Sequence, residues 1–397
     1  MNQFLNPLYF IGLWVSAVWI SRAWRALKTL RHLPVIPAAL TPPAGSSAPV
    51  SVIIPAKNEE NNIADCLRPF LLQNYLPYEI IVANDNSSDS TENILLRLGA
   101  VKVRTQEEIT ALKIKGHRLF YLNVPPTPGG WTGKNYALHT AQKLASGDWL
   151  LFTDADTRHE PWSIQQSVAY SESTGIHFLT LLPRCLAESW VEKIIQPTAM
   201  ILMGLWFPIQ QINDPACRIY FANGQYLLLA RSLYDRIGGH ASVSGEFLED
   251  FALMKKTKEM GGFFRCVLGA EIYGTRMYDS FASLWRGWRR IYLHSFEKNS
   301  RILLLRTFQT AFFSLTPLVL FIIAIFNTAG PASASPLLTL LLLLPFFCLW
   351  AVCAGAYRFI RSPKRFALFH PLAGLIMGGV LLDAARMAIT NKQTQWR

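Results

Sequence analysis

Between Arg306 and Arg358 the chain carries no charged residue. That stretch is long enough for two membrane-crossing helices of about 20 residues each. Backbone in hydrocarbon must satisfy its own hydrogen bonds, so the segment is restricted to helix. The break inside it, NTAGPASASP at 327–336, is uncharged, whereas the next loop, YRFIRSPKR at 357–365, is strongly basic. Basic loops stay on the cytoplasmic side, so this helix pair is expected to run out and back. A weaker span is expected at about 366–388, interrupted by His370, Asp383 and Arg386. At the other end, 1–21 is uncharged and Arg22, Arg25, Lys28 and Arg31 follow at once. A secretory signal would put its positive charge first, so this reads as a retained anchor with the downstream chain in the cytoplasm. The expected location is the cell (inner) membrane, multi-pass, with four helices.

Composition agrees. Of 397 residues, 51% are hydrophobic and only 16% charged, with 38 Lys and Arg against 26 Asp and Glu. Such a chain is not disordered. In a membrane protein the basic surplus points to loops beside anionic lipid and not to nucleic acid. The six cysteines form no CxxC pair and no zinc spacing, and read as reduced, buried small hydrophobes.

The expected organisation is an N-terminal anchor over 1–33, a Pro/Ala-rich linker over 34–48, a cytosolic block over 49–300, and C-terminal transmembrane helices over 301–397. Within the block, 194–213 (IIQPTAMILMGLWFPIQQIN) has the length of a span but holds two prolines and four Gln/Asn side chains. Those groups are costly in hydrocarbon. The segment is read as an interfacial or re-entrant element, with a buried core helix as the alternative.

In the block, short apolar runs alternate with helical spacing. VSVIIP at 50–55, EIIVA at 79–83 and WLLFT at 149–153 are strands; 59–72, 88–98 and 134–145 have helical character. Such alternation predicts an α/β fold with a mostly parallel sheet and helices on both faces. Ligands on such sheets bind at the carboxyl ends of strands. Three polar clusters fall there: PAKNEE from Pro55, NDNSSDST from Asn84, and Asp154-Ala155-Asp156. Ser88 and Thr91 are read as capping residues, and Asp85 stands at the strand tip before the cap. Two carboxylates two residues apart can share a hard cation, Mg2+ or Mn2+, that fills its remaining positions with phosphate oxygens and water. No Walker loop and no GxGxxG follows a strand, so neither an ATPase nor a dinucleotide fold is supported.

The motif order is VSVIIPAKNEE, IIVANDNSSDST, GKNYAL, DAD, NGQYLLLARSLYDRIGG, the Glu249-Asp250 pair and an arginine cluster. It resembles the family-2 inverting glycosyltransferases of GT-A fold, over roughly 48–300. The chain is most similar to membrane-anchored members acting on lipids, the hopene-associated, carotenoid-type and ceramide glucosyltransferases; CLAESWVEKIIQPTAM resembles the first of these groups. The resemblance implies that Pro55, Ala56 and Glu59 border the nucleotide pocket and that Asp85 contacts the uracil or ribose side. The usual Asp-Asp pair is here Asn84-Asp85. It further implies that Lys134 approaches the donor, that Asp156 and Asp154 hold the metal on the diphosphate, and that Glu249-Asp250 is the acidic motif with Asp250 as base. RGWRR at 286–290 resembles the family's arginine element with its final Trp replaced by Arg290, which weakens polymer synthesis; Arg286, Arg289 and Arg290 are implied donor contacts.

The expected chemistry is transfer of a hexose, glucose first, from a UDP-sugar to a hydroxyl of a hopanoid, carotenoid or other polyisoprenoid alcohol, with inversion. The alternatives are a ceramide or glycerolipid glucosyltransferase, a processive polysaccharide synthase, or a non-enzymic membrane protein with a regulatory nucleotide-binding domain. Glu249 and Asp250 also suit a structural helix start, acids early and lysines late. The arginine cluster also suits a lipid-headgroup patch. Trp285 and Trp288 are expected as interfacial anchors, and His240 and His294 as structural.

Overall fold

The computed structural model describes residues 7–31, 33–37, 40, 48–329 and 336–390. Most of the expected 34–48 linker and the centre of the 327–336 break lie outside these residues. The chain divides into two compact units: 34–184 with 207–277, and 1–33 with 185–206 and 278–393.

The first unit holds the sheet. Its strands are β1 (Val50–Ala56), β2 (Tyr78–Asn84), β3 (Val101–Lys102), β4 (Leu119–Asn123), β5 (Trp149–Phe152), β6 (Thr157–His159), β7 (Phe178–Leu182), β8 (Arg184–Cys185), β9 (Leu227–Ala230), β10 (Phe264–Leu268) and β11 (Tyr273–Thr275). Eight of them form one sheet in the order β10-β7-β9-β5-β1-β2-β4-β3, and β6-β11-β8 form a second. β1 pairs in parallel with β2 and β5, and β2 with β4; β9 runs antiparallel to β5 and β7. The mostly parallel sheet is thus as expected. β1 and β2 are buried along their whole length, as strands covered on both faces must be. Successive residues feed opposite cores: Val52, Ile54, Ile80 and Val82 one, Ile53, Ile81, Phe120 and Phe152 the other.

This packing positions a rim. β1, β2, β4 and β5 all end on the same edge, and antiparallel β9 begins there, so the Asn223-Gly224-Gln225 turn joins it. With β1 between them, the tips of β2 and β5 are two strand spacings apart, about 10 Å.

The second unit is helical. Three of its helices are long and apolar enough to cross a membrane: Ser300–Phe326, Pro336–Arg358 and Lys364–Thr390. At the N-terminal end the structure has the helix Pro7–Arg31, which is not among those three. The helices Trp190–Trp206 and Phe281–Ser295 also belong to this unit. The block expected over 49–300 is therefore divided. These two helices are tied to each other: Trp288 Nε1 donates to Gln196 Oε1 at 2.8 Å and the Tyr292 hydroxyl to the Ala199 carbonyl at 3.3 Å. Over 194–213 the structure has the end of one helix, a bend at Phe207-Pro208 and the short helix Ile209–Ile212. Trp288 is buried and hydrogen-bonded within the helical unit. The acidic group in the last helix is paired: Asp383 Oδ2 accepts from Trp285 Nε1 at 2.9 Å and from Arg289 Nη1 at 3.0 Å.

Candidate active site

The tips of β1 and β2 are laced together. The Asp85 amide donates to the Ala56 carbonyl at 2.8 Å, and Lys57 Nζ lies 3.0 Å from Asp85 Oδ2. Asn58 and Asn86 take left-handed backbone, φ +56° and +51°, a region asparagine tolerates better than most residues. Their side chains close the turns: Asn58 Oδ1 accepts from the Ser88 amide at 2.8 Å, and Asn86 Nδ2 donates to the Val124 carbonyl at 3.1 Å. Thr91 does more than cap. Its Oγ1 accepts the Glu59 amide at 2.8 Å, so the turn after β1 is tied to the helix after β2. Asn84, where the family pattern has an acid, bonds to Asn123 Oδ1 at 3.0 Å and spans the β2 and β4 tips.

The Asp154–Asp156 turn rests on a buried polar column. Thr153 Oγ1 donates to the Gln225 carbonyl at 2.7 Å, and Thr157 Oγ1 to the Asp154 carbonyl at 2.7 Å. His159 Nε2 meets both hydroxyls, at 3.0 and 2.9 Å, and its ring stacks on Tyr273. Burial lowers the His159 imidazole to about 3, which keeps it neutral as a brace for the turn.

The third part converges on Lys134. Thr132 caps the helix Gly133–Gln142, its Oγ1 accepting the Asn135 amide, and so places Lys134 in the first turn. A cation there opposes the helix dipole, and carboxylates compensate: Lys134 Nζ lies 2.8 Å from Asp154 Oδ1 and 2.8 Å from Glu249 Oε1. Burial alone would lower the ammonium, but Asp154, Glu249 and Asp250 outweigh it and push it up. Glu249 and Asp250 open the helix Glu249–Glu259. Asp250 Oδ2 accepts from the Gly224 amide at 2.7 Å and Oδ1 from the Phe251 amide at 2.8 Å. Burial first and the Glu249 carboxylate second raise Asp250 to about 7, against the opposing pull of Lys134 and the two amides. A side chain at position 224 would put its Cβ 3.1 Å from Asp250 Oδ2 and 3.3 Å from Lys134 Nζ, a tight fit that favours glycine.

Lys134, Asp154, Glu249 and Asp250 adjoin one another, Asp156 shares the turn of Asp154, and Pro55, Ala56, Glu59 and Asp85 stand at the β1 and β2 ends of the same unit. Arg286, Arg289 and Arg290 lie on the helix Phe281–Ser295 of the other unit, where Arg289 is engaged by Asp383. Glu59 turns one carboxylate oxygen to Asn62 Nδ2 at 2.8 Å, a local bond within its own turn. Among the described residues no group of three or more His, Cys, Asp and Glu side chains is arranged to hold a metal ion. The Asp154–Asp156 pair suits a cation that takes one or two protein carboxylates and completes its shell from phosphate and water.

Sequence reasoning missed three residues. Lys57 partners Asp85, His159 braces the acidic turn, and Asn135 is fully buried with Nδ2 directed at the carbonyls of Val243, Ser244 and Glu246, at 2.7, 3.1 and 2.9 Å. The signal for Asn135 was present: a polar residue on the inward side of an otherwise apolar helix face.

A mostly parallel sheet with acidic strand ends gathered around one lysine is the framework of a GT-A transferase. Residues 51–182 match the family model for glycosyl transferase family 2, so the chain carries a family-2 glycosyltransferase domain. It is 25% identical over 247 residues to the 4,4'-diaponeurosporenoate glycosyltransferase of Staphylococcus aureus, covering 61% of this chain and 60% of that protein. The Staphylococcus haemolyticus protein of the same name is 26% identical over 252 residues, with the same coverage of 61% and 60%. The similarity thus spans about three fifths of these relatives' length. Among solved structures, the mannosyltransferase PcManGT from Pyrobaculum calidifontis, in complex with GDP-Man and Mn2+, aligns over 97% of this chain and 100% of its own. Its TM-score is 0.52 and its sequence identity 18%, a likeness of fold.

Proposed function

We propose that this chain is a membrane-bound inverting glycosyltransferase that moves a hexose from a nucleoside-diphosphate sugar, UDP-glucose first, to a hydroxyl of a membrane lipid of polyisoprenoid type. The observation that carries the reading is the convergence of Lys134, Asp154, Glu249 and Asp250 at the strand ends. In the reaction the acceptor oxygen attacks the anomeric carbon, the bond to the diphosphate breaks, and the acceptor proton passes to a carboxylate. Asp250 is suited to take that proton. Two backbone amides hold it in place, and a value of about 7 is matched to proton transfer near neutrality. Lys134 supplies positive charge next to Asp154, on the side where the diphosphate leaves. A divalent cation, when bound, adds charge stabilisation on the leaving phosphates, and Asp154 with Asp156 would hold it. The three membrane-length helices support a lipid as the acceptor. The cytoplasmic side is assigned from the basic loops.

A second reading concerns the acceptor. The staphylococcal relatives are named for a carotenoid carboxylate, and this chain would then make a glycosyl ester. Glu249 and Asp250 together repel an anionic acceptor, which favours the hydroxyl. The test incubates membranes with labelled UDP-glucose, UDP-galactose or GDP-mannose and a polyisoprenoid lipid fraction, then treats the organic-soluble product with mild alkali. An alkali-stable labelled lipid supports the hydroxyl acceptor; an alkali-labile one supports the carboxylate. Nucleotide-sugar binding without any transfer would instead make the domain regulatory and sink the enzyme reading.

A further inference from the structure

Two chain segments distant in sequence build the acid–base site: 129–135 brings Lys134, and 243–250 brings Glu249 and Asp250. Several contacts zip them together. The Thr132 amide donates to the Ser244 carbonyl at 2.9 Å, and a Cβ at Gly245 would lie 3.2 Å from the Gly130 carbonyl oxygen. The centre of the zip is Asn135, adjacent to Lys134 in the chain. Its single amide nitrogen is shared among three carbonyls of the 243–246 turn, a turn closed by the Glu246 amide donating to Val243 at 3.0 Å.

Two N–H protons serve three acceptors, while Asn135 Oδ1 is buried with no hydrogen-bond partner. All of the side chain's hydrogen bonding is thus directed at the 243–246 turn. Reversing the amide would set its oxygen against three carbonyl oxygens, so the orientation has no alternative. The turn leads within three residues to Glu249, whose carboxylate meets Lys134 at 2.8 Å, and Gly224 fixes Asp250 from the other side.

We propose that Asn135 is a positioning residue for the transfer reaction: by clamping the 243–246 turn to the start of its own helix it sets the spacing between Lys134 and the Glu249–Asp250 pair. This rests on the glycosyltransferase reading. It touches neither donor nor acceptor and acts through Glu249. The groups facing the pair are Lys134 on the Gly133–Gln142 helix and, through that lysine, Asp154 at the end of β5.

Two measurements on the full chain in membranes or detergent test it. The first is a kinetic double-mutant cycle of Asn135→Ala and Glu249→Gln, with Asn135→Ser, which keeps one donor, as the milder variant. Asn135→Ala is expected to lower kcat by ~10–100-fold, the scale of a misplacement of about 1 Å, with Asn135→Ser in between and nucleotide-sugar affinity within about threefold of wild type. On the Glu249→Gln background the same change should cost no more than about threefold, because the spacing it guards is already lost. Equal slowing on both backgrounds overturns the proposal. The second measurement, amide hydrogen exchange without substrate, reads the clamp directly. Faster exchange at Thr132 and Glu246 in Asn135→Ala, or in Asn135→Ser should the alanine variant not fold, is expected, and unchanged exchange overturns the clamp. If wild-type protein transfers no sugar while exchange responds as expected, the transferase reading has failed and the clamp has not.

Discussion

The two units handle their ionised groups in opposite ways. In the helical unit the half-buried Asp383 is paired: a guanidinium and an indole N–H converge on one of its carboxylate oxygens. At the rim of the sheet, Lys134 divides its charge between Asp154 and Glu249, and Asp250 beside them has only backbone amides as hydrogen-bond donors. One arrangement neutralises charge so that a helix can sit in an apolar setting. The other leaves carboxylates in excess, which raises Asp250 and readies the rim for a cation and a proton. Surplus charge held in place is the mark of a site, and charge matched one for one is the mark of a scaffold.

Breaking the rim should therefore cost activity, and breaking the scaffold should cost stability. The largest effect is expected from Asp250→Asn, a loss of on the order of 10²–10⁴-fold in transfer, with nucleotide binding by calorimetry little changed. Lys134→Met comes next: ~10²–10³-fold in kcat, the scale of removing one preorganised electrostatic contact, read by steady-state kinetics. Gly224→Ala places a methyl against Asp250 and Lys134 and should destabilise by about 1–3 kcal/mol while slowing transfer, read by thermal unfolding and kinetics together. Asp383→Asn should cost about 1–2 kcal/mol of stability, the range of interhelical polar contacts in membranes, with transfer by the folded fraction changed little.

A further effect is in pH dependence, and it carries a sign. Asp250 is raised from 3.8 to about 7, so the folded chain binds a proton that the unfolded chain has released between those values. Stability attributable to Asp250 is therefore present at low pH and falls as pH rises through that window, while the transfer rate rises with pH toward a plateau above 7. His159 and His240, both lowered from 6.5 to about 3 by burial, act oppositely: they favour the fold above pH 6.5 and weaken it as pH falls below. Replacing Asp250 by Asn should remove the first slope and leave the second.

Much of the rim was legible in the chain, because strand ends in a parallel sheet are forced to one edge. Once VSVIIP, EIIVA and WLLFT were strands, Asp85 and the Asp154–Asp156 pair had to share that edge. Glu249 and Asp250 were legible only through motif order, since a helix start with early acids is explained equally well by its dipole. Asn135 was legible only as a polar residue on an apolar helix face; its partners were not, since they lie more than a hundred residues away and are backbone carbonyls, which carry no sequence signature. The grouping of 190–206 with 281–295 was not legible for a related reason. The Trp288–Gln196 and Tyr292–Ala199 bonds that tie these two helices to each other join segments about ninety residues apart, and hydropathy alone sees neither.

One measurement bears most directly on the rim as a proton-transfer site: organic-soluble label formed from UDP-[14C]glucose and polyisoprenoid alcohol by wild-type and Asp250→Asn membranes, followed from pH 6 to 8.5. A labelled lipid is expected with wild type alone, its rate rising through pH 7 and then levelling. A variant that keeps most of the wild-type rate with the same pH profile would contradict the assignment of Asp250 as the base.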